Sequence, residues 1–210
     1  MTRICIVPQV SGIGGMVSFR GRFGAGLRQK GIEFVSRLED KPYDAVLVIG
    51  GTRELLGLQG VRQRGVRIVQ RLNGMNWIQR KRRTGWKHTL RAEYGNLVLN
   101  TIRTKLADRI VYQSYFAQSW WERVYGETRA SWKVVYNAVD LNEYRPDGPG
   151  ERPQERKRLL LVEGSLGGGY EMGLDTAVRM AGILHDEQRE AVELVVVGKV
   201  SASLQAEAQA

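Results

Sequence analysis

Short apolar runs alternate along this chain with stretches in which apolar residues recur at helical spacing. Residues 4–7 are apolar throughout and predict a buried strand. Met16, Phe19, Phe23 and Leu27 then repeat at helical intervals, with Arg20, Arg22, Arg28 and Lys30 on the opposite face, so a helix is predicted over 16–30. Gly31 is placed to end it, because glycine takes the left-handed conformation without steric penalty. Strands are predicted at 32–35 and 44–49, the second apolar at nearly every position, as in parallel sheets covered by helices on both faces. A short helix over 53–64 and a strand at 66–70 follow. A long helical region over 76–107 comes next, with breaks expected at Gly85 and Gly95. Residues 109–113 predict a strand, 116–125 a helix and 133–136 a strand. The alternation predicts an α/β fold whose N-terminal domain is a doubly wound, Rossmann-like parallel sheet.

The pattern stops at RPDGPGERPQER, residues 145–156, which holds three of the five prolines among charges and two glycines. Such a segment reads as a linker. Beyond it the pattern restarts with a strand at 159–162, a glycine-rich turn, a helix at 174–184 and a strand at 192–197. One strand–helix–strand unit cannot bury both faces of its sheet. The expected organisation is therefore an N-terminal domain over 1–144, a linker over 145–157, and the beginning of an incomplete second Rossmann-like domain over 158–210.

Composition narrows the picture in three ways. The apolar runs are too short to span a bilayer and the N-terminus lacks a signal-peptide core, so a cytoplasmic protein is expected. The single cysteine, Cys5, excludes an internal disulfide and sits in a strand pattern, where buried packing is expected over reactivity. A formal net charge of +10 favours anionic partners: nucleic acid, acidic lipid or phosphorylated small molecules.

The first glycine-rich turn, GIGGMV, opens the first predicted helix. The third glycine of a dinucleotide fingerprint is replaced by Val17, and Glu33, Glu39 and Asp40 are poorly placed for its ribose-binding acid. What remains is Gly14 and Gly15 at a helix start. Amide groups there can hold an anion, or the pair can simply form a tight turn.

In VVYNAVDLNEYRPDG, residues 134–148, Asn137 and Asp140 can bond a turn before Arg145 and Pro146 open the linker. Asn137, Val139, Asp140, Tyr144 and Pro146 resemble the signature that closes the N-terminal domain of family 4 retaining glycosyltransferases, with Ala138 at the usual glycine. Three further segments resemble that family in the same order. These are GIGGMV, the Ala107, Asp108, Ile110, Val111, Ser114 series, and KRLLLVEGSLGGGYEMG. The resemblance implies a GT-B fold, with two Rossmann-like domains facing across a cleft. It also implies transfer of a sugar from a nucleotide-diphosphate sugar to an acceptor hydroxyl, with retention of configuration and no cofactor beyond the donor substrate. Attack on the front face lets the leaving diphosphate help take the acceptor proton, so no dedicated base is needed. No metal is implied, and no His or Cys cluster suggests one.

Transferred onto this chain, the resemblance implies donor-diphosphate contacts from Gly14, Gly15, Gly164, Ser165, Gly167, Gly168 and Gly169. Acceptor-side or cleft positions are Arg71, Asn73, Ser114, Asn137 and Asp140. The sequence departs from the family in two places. Arg71, Leu72, Asn73 and Gly74 stand where many members have a histidine. Arg71 or Asn73 can offer donors to a sugar hydroxyl or phosphate there, or Asn73 and Gly74 can be only a turn. Ser165 and Met172 occupy the usual Arg and Lys of the donor loop, and the family's pair of donor-site glutamates would lie beyond residue 210. The glycines at 167–169 can bring backbone amides to a phosphate or form a loop without a ligand. The catalytic residues are not assigned, and this chain alone is expected to be inactive in sugar transfer.

A last segment, NWIQRKRRTGWKHTLR, residues 76–91, holds six basic residues and no acid: Arg80, Lys81, Arg82, Arg83, Lys87 and Arg91. Arg80, Arg83 and Lys87 share a face if the segment is one helix. Interleaved tryptophans suit an acidic membrane surface or a lipid-diphosphate acceptor, and the alternatives are a solvated face over two packed tryptophans or, less favoured, nucleic acid. The leading function is thus glycan or glycolipid assembly from a nucleotide sugar and a carbohydrate or lipid-linked acceptor, at the inner membrane face if peripheral. The alternatives are a non-catalytic polyanion- or membrane-binding module of the same fold and, with a poorer fit to residues 137–146, a sugar-nucleotide epimerase.

Overall fold

A computed structural model describes residues 2–12, 14–81, 83, 85–148, 150, 153–166, 172–202 and 205–206. The chain divides into two units, Met1–Ala138 and Val139–Ala210, a division that falls within the segment 137–146.

The first unit is a six-stranded sheet. Its elements are β1 (Arg3–Val7), α1 (Gly15–Gln29), β2 (Glu33–Val35), β3 (Ala45–Ile49), α2 (Leu55–Gln63), β4 (Arg67–Leu72), α3 (Trp86–Thr101), β5 (Arg109–Tyr112), α4 (Tyr115–Tyr125) and β6 (Ser131–Val134). The strand order is β2-β1-β3-β4-β5-β6 and every pairing is parallel. It is an α/β sheet flanked by helices, consistent with a Rossmann-like fold.

Strand alternation sends β-branched and aliphatic side chains to two cores. On one face Ile6, Leu47 and Ile49 pack against Leu27, Phe19 and Phe23 of α1. On the other, Cys5, Val7, Val46, Val48 and Ile68 meet Leu58 and Val61 of α2 and Val98 of α3. Further along, Leu72, Ile110 and Tyr112 close over the fully buried Trp121 of α4. Each fully buried aliphatic or aromatic side chain contributes about 1.5–3 kcal/mol against exposure. Cys5 belongs to this core. Its thiol faces the Arg37 carbonyl at 3.4 Å, and burial, with Asp40 next, pushes it up to about 12. It is a packed residue and not a nucleophile.

The region 76–107 differs from its sequence expectation. A single tight turn, Ile78–Arg80, comes first, and the helix begins only at Trp86, where Gly85 holds a φ of 84°. Gly95 does not break it. A Cβ there would lie 3.1 Å from the Asn76 amide nitrogen, so glycine admits a close approach instead. That approach lets the fully buried Asn96 bond the Asn76 backbone twice, at 2.9 and 2.8 Å. The helix then widens into a π-helical turn over Ile102–Leu106. The turn carries the fully buried Arg103, which donates to the Tyr112 hydroxyl at 2.9 Å, Asn100 at 3.2 Å and the Gly126 carbonyl at 2.7 Å. Arg103 therefore ties α3, β5 and the end of α4 together.

The second unit holds β7 (Lys157–Ser165), α5 (Met172–Asp186) and β8 (Val192–Lys199), the two strands parallel, with Leu174 and Ala177 of α5 buried. No helix of the described residues is long and apolar enough to cross a membrane. Among those residues no cluster of His, Cys, Asp and Glu could hold a metal ion.

Candidate functional site

Since all six strands of the first unit are parallel, their carboxyl ends share one edge of the sheet. Ligands of open α/β sheets bind along that edge. The register pairs Ile49 with Arg71, Leu72 with Tyr112 and Tyr112 with Val134, so the loops leaving β3, β4, β5 and β6 start level with one another.

Arg71 is the centre of what gathers there. It is only 4% exposed, because the β4 pleat turns it to the α1 side of the sheet, where its guanidinium lies over the Phe19 ring with 3.7 Å between Cζ and the centroid. Nη2 donates to Asn137 Oδ1 at 2.5 Å and Nη1 to Asn73 Oδ1 at 3.2 Å. Gln113 Nε2 donates to Asn73 Oδ1, and Asn137 Nδ2 donates to Gln113 Oε1 at 3.2 Å. With the Gln113 amide turned the other way, its oxygen accepts from both Arg71 terminal nitrogens, at 2.9 and 3.1 Å. Either orientation surrounds the cation with neutral oxygens. Among the described residues no carboxylate pairs with Arg71. Burial lowers its pKa.

The corner that carries Asn73 is clamped. Its backbone carbonyl accepts the Trp121 indole N–H at 2.7 Å, and a Cβ on Gly74 would sit 3.5 Å from the Trp120 ring. Asn73 is thus more than a turn residue, since its side chain joins Arg71 to Gln113. Ser114 caps α4, its Oγ accepting the Ala117 N–H at 3.1 Å, and so fixes the exit from β5 beside Gln113.

Gly14 and Gly15 begin α1 after β1. Gly14 has a φ of 142°, which side-chain-bearing residues rarely adopt, and both glycines are exposed. Among the described residues no side chain caps this helix start, and its first turn holds no acid to offset the positive end of the helix dipole. The remaining predicted positions lie elsewhere. Asp140 belongs to the second unit, where its Oδ1 accepts the Asn142 N–H at 2.8 Å and closes a local turn. Gly164 and Ser165 end β7 of that unit. Gly167, Gly168 and Gly169, like Arg82, lie outside the described residues.

The basic segment needs correction. Arg80 does not share a helical face with Arg83 and Lys87, because it sits in the turn before Gly85 and not on α3. It is also neutralised. Nε and Nη2 grip Glu93 at 2.8 and 2.7 Å, and Nη2 also meets the Tyr125 hydroxyl at 3.1 Å. Hydrogen bonds from Arg80 first and Gln79 next hold Glu93 down at about 2, and the Arg80 pKa is raised in turn. Nor are the tryptophans packed beneath the charges, since Trp77 and Trp86 are 42% and 70% exposed.

Two members of the Arg71 cluster are missing from the sequence assignment. Gln113 was within reach of it, as the polar residue that ends an apolar strand just ahead of a helix-capping serine. Phe19 reads from periodicity as a core residue only, yet it is also the platform for the guanidinium. Neither a protein-family model nor a curated protein matches the chain. Chemically, the cluster offers a planar cation with parallel donors and three carboxamides. That set suits a phosphate or carboxylate flanked by hydroxyl groups.

Proposed function

We propose that the chain serves a retaining glycosyltransferase of GT-B type, which moves a sugar from a nucleotide-diphosphate sugar to a hydroxyl of a carbohydrate or lipid-linked acceptor. The observation that carries the proposal is Arg71, a buried guanidinium at the carboxyl edge of the sheet with no carboxylate partner among the described residues. A folded protein gains little by burying such a charge unless a ligand anion completes it. In glycosyl transfer the developing negative charge lies on the departing diphosphate, and pre-oriented donors that meet it lower the barrier. Arg71 has the fork for phosphate oxygens, the amides of Asn73, Gln113 and Asn137 can address sugar hydroxyls, and the uncapped start of α1 adds a positive dipole end. The ordered resemblance of four segments to family 4 enzymes selects sugar transfer among the reactions that use a phosphate site. A lipid-linked acceptor would put the protein at the inner membrane face.

The test is a thermal-shift screen of nucleoside diphosphates and nucleotide sugars, followed by transfer assays and NMR of the product's anomeric configuration. A matching donor at a hundred times its Kd adds about 2.7 kcal/mol of stability. No shift with any of them at millimolar concentration, together with no transfer, would refute the proposal.

A further inference from the structure

The face of α3 turned away from the sheet is apolar where a soluble helix is ordinarily polar. Trp86, Leu90, Tyr94 and Leu97 are 70%, 62%, 51% and 59% exposed. At about 100° per residue they fall within an arc of about 80°, in a stripe about 16 Å long. Helix-core packing does not account for them, because α3 buries Ala92, Asn96 and Val98 instead. Lys87 and Arg91 run along one shoulder of the stripe, with the Lys87 ammonium 5.6 Å from the centroid of the Trp86 ring. Lys81 and Arg83, also exposed, lie just before the helix. Among the described residues no ion pair engages any of these four cations. The one acid on α3, Glu93, is held by Arg80.

We infer that α3 is a membrane-docking helix, which lies flat on an anionic bilayer with Trp86, Leu90, Tyr94 and Leu97 in the interface and Lys81, Arg83, Lys87 and Arg91 among the headgroups. Trp and Tyr are the residues that prefer the depth where acyl chains meet headgroups. Each Lys or Arg near an anionic leaflet adds attraction that salt screens. The stripe is too short and too one-sided to cross a bilayer, and an interfacial helix needs only the one apolar face. Charge complementarity selects anionic lipid as the occupant, in keeping with the chain's net charge of +10. The inference rests on α3 and not on the Arg71 cluster, so either can fail without the other.

Co-sedimentation with vesicles tests it, using phosphatidylcholine alone and phosphatidylcholine mixed with about one-third phosphatidylglycerol, at low and high salt. The wild-type chain should bind the mixed vesicles only, and release at high salt. The double variants Leu90→Gln with Leu97→Gln, and Lys87→Glu with Arg91→Glu, should each lower the partition coefficient at least tenfold. All four positions are exposed, so both variants should melt as the wild type does. Failure to sediment, equal binding to neutral vesicles, or unchanged binding in either variant would overturn the inference. So would a dimer in solution that the Leu90→Gln, Leu97→Gln variant dissociates, because the stripe would then serve a second copy.

Discussion

Replacing Arg71 with Met keeps the length of the side chain and deletes its charge, which separates a ligand-binding arginine from a structural one. In the native protein the guanidinium is out of water at an effective cost of several kcal/mol. Against that stand two charge-assisted hydrogen bonds to Asn73 and Asn137, about 1.5–3 kcal/mol each. Its stack on Phe19 contributes about 1–2 kcal/mol more. The two sides nearly cancel. Methionine recovers a sulfur–aromatic contact with Phe19 of about 0.3–1.5 kcal/mol, and the amides of Asn73 and Asn137 are exposed enough for water to satisfy them. Unfolding free energy should therefore change by no more than about 1 kcal/mol, which is about 3–5 °C in Tm for a unit of this size. A purely structural cation would instead cost about 1–3 kcal/mol on removal for each buried oxygen that it leaves unsatisfied. Calorimetry with and without a nucleoside diphosphate distinguishes the two. The wild type should gain stability with ligand, and the variant should start near the same Tm and gain none. A loss of more than about 3 kcal/mol in the variant, with no ligand response in the wild type, would show that Arg71 serves the fold alone.

Two glycines of α1 should respond in opposite directions to alanine. At Gly24 a Cβ would lie 2.8 and 2.9 Å from the Phe34 ring, which Arg28 covers from 4.8 Å, so Gly24→Ala should destabilise by about 1–3 kcal/mol. At Gly26 a Cβ meets nothing, and Gly26→Ala should stabilise by about 0.5–1 kcal/mol; denaturant midpoints moving together would contradict the packing of α1 on β2. Glu93, held at about 2 by Arg80 and Gln79, adds stability that is fully present above its ordinary value near 4.5 and is lost as pH falls from there toward 2. Both partners are more than a third exposed, so screening limits the effect to about 1 kcal/mol. Urea midpoints of Glu93→Gln should flatten over that window, and an unaltered pH slope would discount the pair.

Strands β1 and β3 were legible because each is a nearly continuous apolar run, and burial on both faces of a parallel sheet demands that composition; β6, mostly exposed at the sheet edge, lies two residues before its expected place. Helix α1 was legible from Met16, Phe19, Phe23 and Leu27, whose spacing reports the face it buries. Helix α3 was read poorly. Gly95 looks like a breaker in sequence, yet it is a contact point for Asn76, and the partner that explains it is far along the chain. Tyr94 and Leu97 look like core residues, and only their exposure shows otherwise. In the candidate site, Arg71, Asn73 and Asn137 could be named individually. Their convergence could not, because it depends on the register of β4, β5 and β6 and on which face the β4 pleat gives to Arg71. Gln113 could be marked as a polar strand end, but its place beside Arg71 depends on the same register.

The strand order also says how the sheet can be laid down during synthesis. After β1 pairs with β2, β3 joins the free edge of β1, and β4, β5 and β6 then each join the outer edge of the strand before. No strand has to be threaded between two already paired, so the sheet can grow in step with the emerging chain. Asn137, which follows the last strand, then reaches Arg71 only after every other part of the sheet is in place. Until that point the guanidinium lacks one of its two asparagine acceptors. Closure of the cluster marks completion of the first unit, so a chain that stops before residue 137 can carry most of the sheet and still lack the closed cluster.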